Sequence, residues 1–503
     1  MLISGDICIQ RGHYINMQAQ LPPPAEVHRV IRKLQQHTGL QVLAHLAEAW
    51  QLEVYLVGGT VRELARGREA PDLDLAVNRQ VLELAAALAD RLGGTFVRLD
   101  SKERTARVVY QSQDLDFAEF RAPDLVADLH KRDFTINAMA IALIPLMREG
   151  QLEWLDPWGG REDLRVGRLQ ILAAENFHDD PLRMLRAFRF AATHGLALTP
   201  ETWAAIRRYR EEFRRVAGER IHQELFQLLA VKRAFPTLEG MNQAGLLSQI
   251  FPELEDMKGV EQNGYHHLDV FQHSMLTVDF MEQVLLDPQN WFPDLAQVIT
   301  DYASQDKKAV LLKLAALFHD LGKPQTRERR DNPERFTFYH HERVGAEIFT
   351  QIALRLRFSQ EELRTVVRLI ELHMRPFLLL PIFREGGLTW RALGRLVKAA
   401  RPDLPGLFAL AMADSLAGQG PLKPPDAESF LADFCISAYQ FLKERLEPLE
   451  HRPRLINGND LIRKFHLTPG PQFRLLLEAV EEACLEGRIH TRQEALDLVQ
   501  KML

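Results

Sequence analysis

The spacing of apolar residues divides the chain into three stretches. Up to residue 50, apolar side chains recur at helical spacing on either side of Thr38–Gly39, which predicts a helical N-terminal extension. From Val54 onward the apolar residues form short runs typical of β-strands, with helical pieces between some of them. The predicted strands are Val54–Val57, Leu73–Val77, Thr95–Leu99, Ala106–Tyr110 and Leu115–Phe120. After residue 175 almost every segment has helical spacing, interrupted by polar clusters such as the charged loop Arg327–Glu334.

This pattern predicts an α+β head with a small mixed sheet, followed by a long all-α neck, body and tail. We expect an extension over residues 1–50, the head over 51–175, the neck over 176–250, the body over 251–420 and the tail over 421–503. A chain of 503 residues is long enough for several such domains.

Composition narrows the class of protein without identifying it. The chain is 46% hydrophobic and 26% charged, and its net charge of −6 does not indicate a nucleic-acid partner by itself. Cys8, Cys435 and Cys484 are far apart, which favours a reducing cytoplasm over a disulfide framework. The N-terminus does not resemble a secretion signal, and no apolar run is long enough for a bilayer, so we expect a cytoplasmic protein without a membrane partner.

A strand-to-helix turn in the predicted head is suited to phosphate. The strand Val54–Val57 runs into Gly58–Gly59, where the chain backbone is able to approach a ligand closely and a helix begins. Arg62 lies in the first turn of that helix and adds a positive charge. A tight structural turn explains the two glycines equally well.

Asp72 and Asp74 strengthen the interpretation of this turn as a binding site. They alternate with Leu73 and Leu75, so both carboxylates project from one face of a strand. Two adjacent carboxylates repel each other unless a cation lies between them, and oxygen ligands of this kind suit Mg²⁺. Asp116, flanked by Leu115 and Phe117, is our candidate for a third carboxylate on a neighbouring strand. A solvated edge strand is the alternative.

Two further segments carry charges suited to a nucleotide. Arg132 and Asp133 come before an apolar stretch that we interpret as a helix, and they offer a cation for phosphate and an acceptor for a ribose hydroxyl. A helix start capped by Asp133, with Arg132 in solvent, explains these two residues at least as well. A second helix opens at Asp180–Pro181, and its arginines Arg183, Arg186 and Arg189 are spaced by three. An Asp and an Arg together match the edge of a base, although helix capping also explains Asp180.

The body carries histidines and aspartates on or at the ends of apolar helices. A single such histidine is usually structural, but several together, with an adjacent His-Asp pair, favour a site for a transition metal or Mg²⁺. The candidate ligands are His273, His319, Asp320, His341, His373 and Asp414. His340 is an alternative to His341, and His266 or His267 is a candidate neighbour.

The neck is locally basic, and its arginines are candidates for contact with RNA phosphates. A solvated helix face is an equally good explanation. The four candidates are Arg207, Arg208, Arg214 and Arg215.

The motifs together resemble the class II tRNA nucleotidyltransferase and bacterial poly(A) polymerase family over residues 54–225. The similarity lies in LVGG, DLDLAV, KRDFTINAMA, DPWGGREDL, DDPLRMLRAFRF and ERIHQEL, in this order. It implies that Asp72 and Asp74 bind catalytic Mg²⁺ and that Gly58, Gly59 and Arg62 hold the triphosphate. Arg132 and Asp133 would bind triphosphate and ribose, and Asp180 with Arg183 would select the base. Lys131 and Asp179 differ from the usual Arg and Glu of the family, with the charge conserved.

The same resemblance implies the reaction and its partners. An RNA 3′-hydroxyl would attack the α-phosphate of CTP or ATP, and pyrophosphate would leave, with the tRNA acceptor arm as the RNA partner. A flexible loop around Asp100–Thr105 would govern whether CC, A or the whole CCA is added. The tail resembles segments that grip the acceptor arm.

The body resembles the HD phosphohydrolase superfamily over residues 255–420. The resemblance lies in the order of His273, His319–Asp320, His341, His373 and Asp414, and it implies a bound divalent metal and hydrolysis of phosphate esters, such as 2′,3′-cyclic RNA ends.

Three functions therefore remain open from the sequence. The first is the addition of all or part of CCA to tRNA, which we favour because the basic signature expected after the head of a poly(A) polymerase is not recognisable. The second is poly(A) addition. The third is an HD phosphohydrolase with an RNA-binding head, and the intact Asp72 and Asp74 argue against it.

Overall fold

The computed structural model describes residues 23–100, 104–111, 113–331, 334–450 and 453–503. The chain divides into two units, Met1–Ile250 and Phe251–Leu503, which are described in turn. The predicted division into five domains stays a prediction.

The first unit contains a seven-stranded mixed sheet. Its strand order is β3-β4-β5-β2-β1-β6-β7, in which β2 and β5 are parallel and the other neighbours antiparallel. The strands are β1 Val54–Val57, β2 Leu73–Val77, β3 Thr95–Asp100, β4 Thr105–Tyr110, β5 Gln113–Glu119, β6 Ala140–Ala142 and β7 Trp154–Leu155.

Helices surround this sheet and continue beyond it. Those before and within the sheet are α1 Pro24–Gln36, α2 Thr38–Ala49, α3 Gly58–Ala65, α4 Val81–Leu92, α5 Leu125–His130, α6 Leu143–Glu149 and α7 Gly160–Val166. Those of the neck are α8 Asn176–Asp179, α9 Leu182–His194, α10 Pro200–Tyr209, α11 Gly218–Leu229, α12 Phe235–Ala244 and α13 Leu247–Ile250. Short pieces complete the unit: 3₁₀ turns Thr135–Asn137 and Arg210–Arg215, and a parallel strand pair, β8 Arg168–Leu169 and β9 Ala197–Leu198.

The head sheet forms because alternate residues of its central strands are apolar and buried. Leu73, Leu75, Leu115 and Phe117 are each at most 1% exposed, and the polar residues between them project from the opposite face. The core therefore lies under one face of β2 and β5, and the other face is left for polar side chains.

The regular elements among the described residues of the second unit are helical apart from one hairpin. Its helices up to the tail are α14 Val270–Leu286, α15 Pro288–Trp291, α16 Ala296–Ala303, α17 Lys308–Phe318, α18 Lys323–Thr326, α19 His341–Arg355, α20 Gln360–Leu372, α21 Met374–Arg384, α22 Trp390–Ala400 and α23 Leu404–Ala417. The tail contains α24 Ala427–Phe441, a π-helical turn Leu442–Leu446, α25 Glu447–Glu450, α26 Gly458–Phe465, α27 Pro471–Leu485 and α28 Arg492–Met502. A 3₁₀ turn, Pro252–Met257, opens the unit.

A buried ionic contact ties together the helices of this unit that carry the predicted metal ligands. Asp403, which is 0% exposed, accepts from the Tyr302 hydroxyl at 2.8 Å and from Lys308 Nζ at 2.9 Å. Asp403 directly precedes α23, Tyr302 lies in α16 and Lys308 is the first residue of α17. Because α23 carries Asp414 and His319 directly follows α17, the contact joins two helices that position candidate ligands.

Two expectations about secondary structure are wrong. The apolar stretch after Asp133 is not a helix, since Ala140–Ala142 pairs with β1 as a buried strand, and periodicity alone does not separate so short a strand from a helix. The charged loop Arg327–Glu334 is largely a hairpin of β10 Glu328–Asp331 and β11 Glu334–Thr337. The Arg327 guanidinium lies 3.7 Å from the centre of the Phe336 ring and helps to stabilise it.

No helix among the described residues is both long and apolar enough to cross a membrane.

Candidate functional site

The polar face of the head sheet brings the predicted catalytic carboxylates onto neighbouring strands. Asp74 of β2 lies beside Asp116 of the parallel strand β5, and the two are Cα partners. Asp72 directly precedes β2 and is exposed, whereas Asp74 is half-buried. Parallel register thus places three carboxylates on one face at the edge where β1 runs into α3.

Asp74 is held by the turn that carries the two glycines. The Gly59 N–H donates to Asp74 Oδ2 at 2.8 Å, and the Asp74 N–H donates to Thr60 Oγ1 at 2.7 Å. Burial raises the pKa of Asp74, and the charge of Asp116 adds to this effect. The raised pKa marks a carboxylate whose charge is incompletely compensated by the protein.

Gly58 has to be glycine at this turn. Its φ of +59° lies in the left-handed region, and a Cβ would lie 3.0 Å from Asp74 Oδ2 and 3.1 Å from Arg132 Nη1. The backbone therefore approaches both a predicted metal ligand and a predicted phosphate ligand. Oxygen donors on one face, beside a turn with no room for a side chain, fit a hard divalent cation such as Mg²⁺.

Asp116 has a partner that the sequence analysis missed. Arg107 of β4 donates from Nε to Asp116 Oδ1 at 2.7 Å and from Nη2 to Asp116 Oδ2 at 2.8 Å. Its Nη1 lies 2.6 Å from Asp114 Oδ2. Alternation along Thr105–Tyr110 was the available signal, because it puts Arg107 on the polar face.

The predicted triphosphate ligands Arg62 and Arg132 differ in how far other residues of the protein already engage them. Arg62 donates to Asn137 Oδ1 at 2.6 Å and pairs with Glu63 at 3.0 Å. The Arg132 side chain is 16% exposed, and its Nη2 lies 3.6 Å from Asp128 Oδ2. Its Nε is buried and makes no hydrogen bond to any described residue, and burial lowers the pKa of Arg132. An anionic ligand would satisfy this guanidinium.

Asp133 is buried and already engaged. Its carboxylate accepts from the Phe134 N–H and Asn137 Nδ2, each at 2.9 Å, and pairs with Arg186 Nη2 at 2.7 Å. Although burial opposes ionisation, Arg186 and Asn137 lower the pKa of Asp133. Asp133 therefore anchors Arg186, and its contact with a ribose stays a prediction.

Asp180 pairs with a residue of α11 rather than with Arg183. Arg220 donates to both Asp180 oxygens, at 3.2 and 2.9 Å. Arg183 donates from Nη2 to the Lys131 carbonyl oxygen at 2.8 Å. Capping by Asp180 would place the first residue of α9 at Pro181, but the helix begins at Leu182. Asp180 Oδ1 still accepts from the Leu182 N–H at 3.3 Å. Arg189, the last arginine of the series, pairs with Glu224.

The neck arginines lie on the surface. Arg207 and Arg208 contact the Trp203 and Tyr209 rings at 5.6 and 5.0 Å. Arg214 donates to Gln249 Oε1 at 3.0 Å, and Arg215 donates to the His178 carbonyl oxygen at 2.9 Å. All four are exposed, and their contact with RNA stays a prediction. Of the loop expected around Asp100–Thr105, residues 101–103 lie outside the described residues.

The body brings its predicted metal ligands together in one buried cluster. We refer to His273, His319, Asp320, His341, His373 and Asp414 as the histidine–aspartate cluster; each is at most 8% exposed. Among the described residues there are three groups of candidate ligand atoms that lie within 4.8 Å of one another. Two consist of cluster residues alone, and the third joins His266 to His273 and Asp414. Asp72, Asp74 and Asp116 do not form such a group. The cluster can hold a divalent metal ion.

The histidine rings are oriented by the backbone. His319, His341 and His373 each place Nδ1 at 2.7 to 2.9 Å from the carbonyl oxygen three residues earlier, which turns Nε2 toward Asp320. His319 Nε2 is buried and makes no hydrogen bond among the described residues, as expected of a ligand atom. Burial disfavours charge on Asp414, but His319 and His273 hold its pKa well below the usual range.

Asp320 faces two separate sets of ligands. Its Oδ2 lies 3.2 Å from His319 Nε2 and 3.7 Å from His273 Nε2, on the side of Asp414. Its Oδ1 lies 3.4 Å from His341 Nε2 and 3.7 Å from His373 Nε2.

The alternative candidates around the cluster separate clearly. His341 belongs to the cluster, whereas His340 is exposed and has φ +65°. His266 forms a ligand group with His273 and Asp414, and His267 is exposed and outside all three groups. Lys323 also contacts the cluster, although the sequence did not single it out. Its Nζ donates to Asp320 Oδ2 and to Gln262 Oε1, at 2.6 Å each.

Comparison with known proteins gives matches in four segments between residues 54 and 499. Family models match the poly A polymerase head domain at residues 54–170, a probable RNA- and SrmB-binding site of polymerase A at 195–258 and the HD domain at 270–418. Residues 440–499 match a putative second domain of tRNA nucleotidyltransferases.

Relatives match over almost their full length. The A-adding tRNA nucleotidyltransferase of Deinococcus radiodurans is 35% identical over 89% of this chain and 94% of its own. The CC-adding tRNA nucleotidyltransferase of Thermus thermophilus is 35% identical over 88% and 92%. The fold is similar to that of the Thermotoga maritima CCA-adding enzyme complexed with tRNA, with a TM-score of 0.62 and 21% identity over 94% of this chain and 98% of that one. This chain is therefore a member of the tRNA nucleotidyltransferase family, with an HD domain in its second half.

Proposed function

We propose that this chain adds nucleotides to the 3′ end of tRNA and performs one part of CCA addition, either the two cytidylates or the final adenylate. The observation that supports transfer is the adjacent pair Asp74 and Asp116 beside the Gly58–Gly59 turn. The division of labour is supported by two relatives of equal identity and almost full coverage, one A-adding and one CC-adding.

In the head, the chain's own residues bind and orient the reactants. Asp72, Asp74 and Asp116 hold the divalent ions, and the N–H groups of α3 with Arg132 bind the triphosphate. The RNA 3′-oxygen forms a bond to the α-phosphorus while the bond from that phosphorus to the bridging oxygen breaks, and pyrophosphate leaves. Bound Mg²⁺ lowers the pKa of the RNA hydroxyl and neutralises the charge that develops.

Asp180 and Arg183 select the incoming base. The carboxylate accepts and the guanidinium donates, so the two recognise a base edge that carries a donor and an acceptor. The ion pair with Arg220 and the bond from Arg183 to the Lys131 carbonyl hold the two side chains apart before the base arrives.

The neck arginines bind the phosphates of the tRNA acceptor arm, which is recognised by shape rather than by base sequence. The tail helices extend that grip. The reaction takes place in the cytoplasm, in keeping with three widely separated cysteines.

Primer extension tests this function. Transcripts of tRNA that end before CCA, after C and after CC, together with an unrelated RNA, are incubated with Mg²⁺ and CTP, ATP or both. Addition of only CC, or of only A after CC, supports the proposal. Ordered addition of all three nucleotides contradicts the split activity, long A tails on any RNA indicate a poly(A) polymerase, and no incorporation rejects the transferase.

A second activity is supported by the position of Asp320. One oxygen faces His273 and His319 and the other faces His341 and His373, which suits a carboxylate bridging two metal ions. The cluster would hold two divalent ions and hydrolyse phosphate esters, such as 2′,3′-cyclic RNA ends. Two bound ions would supply an activated water and stabilise the leaving oxygen.

Hydrolysis of bis-p-nitrophenyl phosphate and of 2′,3′-cyclic AMP, with Mn²⁺, Ni²⁺ or Mg²⁺, tests this activity. Turnover by the intact chain that disappears in Asp320→Asn supports a hydrolase. Equal turnover by both proteins, or none by either, contradicts it without affecting nucleotide transfer.

A further inference from the structure

We propose that Arg107 is a positioning residue of the transferase site, a built-in cation that occupies Asp116 until a divalent metal ion displaces it. This inference rests on the proposed function of the head, because it concerns the same three carboxylates. It adds a control on metal binding.

The contact is specific in geometry. Two nitrogens of the guanidinium meet the two oxygens of Asp116, at 2.7 and 2.8 Å, and a third nitrogen meets Asp114 at 2.6 Å. Cross-strand register places the two side chains opposite each other, because Arg107 and Asp116 are Cα partners of the antiparallel pair β4–β5. Arg107 is 35% exposed and Asp116 is 27% exposed, so the contact is partly shielded from solvent.

The ion pair between Arg107 and Asp116 offsets the repulsion between the neighbouring carboxylates of Asp74 and Asp116. Asp116 is the Cα partner of Asp74, so the two carboxylates lie side by side and repel each other. A guanidinium remains protonated at any physiological pH, and here the hydrogen bonds to Asp116 raise the pKa of Arg107 further. Arg107 therefore supplies permanently the positive charge that a metal ion supplies when bound.

The same pair competes with the metal. Each Asp116 oxygen accepts one hydrogen bond from Arg107 and keeps a lone pair for a metal ion, but the guanidinium charge beside it opposes the approach of a second cation. Asp114 lies on the same strand as Asp116 and gives the released guanidinium a second partner. This contact keeps Arg107 beside the site.

Arg107→Met should therefore tighten metal binding. Mn²⁺ is titrated into the full chain without nucleotide, and free Mn²⁺ is measured by electron paramagnetic resonance. Each protein is also measured with Asp74→Asn, so that the difference isolates the head site from the histidine–aspartate cluster. The expected dissociation constant of the head site falls about tenfold, because the partly exposed positive charge that opposes the metal ion beside Asp116 is removed. Arg107→Lys keeps the charge but not the bidentate geometry and should give an intermediate constant.

Arg104→Met is the matched control. Arg104 directly precedes β4 and pairs with Glu119, so its loss removes the same charge from beside that strand without touching Asp116. Its expected constant equals that of the wild type. Weaker or unchanged Mn²⁺ binding in Arg107→Met, with its circular dichroism spectrum intact, would overturn the role of Arg107 and leave the head metal site standing. If Asp74→Asn removes no site from either protein, the head metal site and the role of Arg107 are both rejected.

Discussion

Replacement of Asp320 by Asn removes the carboxylate whose oxygens face two separate pairs of histidines. With Asp320 in place, His273, His319, Asp414 and Oδ2 of Asp320 would hold one divalent ion, and His341, His373 and Oδ1 of Asp320 would hold another. Loss of one outer hydrogen-bond partner typically lowers metal affinity by about 10- to 100-fold. Loss of a ligand shared by two ions should cost each of them at least that factor.

The expected metal content is therefore two ions per chain in the wild type and close to none in Asp320→Asn. Single changes on either side should separate the positions, since Asp414→Asn and His373→Ala each leave one ion. Inductively coupled plasma mass spectrometry after gel filtration measures these ratios, and Asp301→Asn, an exposed aspartate of the same unit, is the control. One ion in the wild type, or one ion retained by Asp320→Asn, would refute a bridging carboxylate.

Three further outcomes follow from the head and neck. Burial raises the pKa of Asp74, and only the ionised carboxylate binds metal. The acid limb of the plot of rate against pH should therefore lie above the usual aspartate pKa and move toward lower pH as the Mg²⁺ concentration increases. An acid limb that does not depend on Mg²⁺ contradicts this. Asp180→Ala should lower kcat/KM for the correct nucleotide by about 10- to 150-fold, as expected for one charge-assisted bond, with Asp179→Asn as the control. An equal loss for ATP and CTP would show that Asp180 does not select the base. Gly58→Ala should reduce turnover by about tenfold or more, because a Cβ would crowd Asp74 at a left-handed φ, and unchanged turnover would contradict that crowding.

Local pattern predicted the centre of the head well. Strands β1 and β2 have the predicted bounds, and the alternation of Asp72 and Asp74 with buried leucines follows directly from the period of two. The α+β head with a mixed sheet and the helical remainder are confirmed, as is the resemblance to tRNA nucleotidyltransferases. These features depend on residues close in sequence, or on motifs with characteristic spacing.

Features that depend on pairing between distant segments were not predictable in the same way. Strand β6 is too short for its period to be read, and its identity as a strand depends on β1, more than 80 residues earlier in the chain. The partner of Asp180 is Arg220 because α9 packs against α11, which no local pattern indicates. Arg107 is opposite Asp116 only through the register of β4 and β5. The histidine–aspartate cluster was found from residue type, but the two-sided position of Asp320 required coordinates.

The most direct test of the central claim is nucleotide incorporation by the protein with Asp72→Asn and Asp74→Asn. Radiolabelled CTP or ATP is offered with tRNA transcripts lacking all or part of CCA, and tRNA binding is measured in parallel by filter retention. The exposed change Asp90→Asn is the matched control for loss of a carboxylate in the same unit. The expected result is no incorporation by the double variant, with tRNA binding retained and the control fully active. Incorporation at the wild-type rate by the double variant would contradict transfer at these carboxylates.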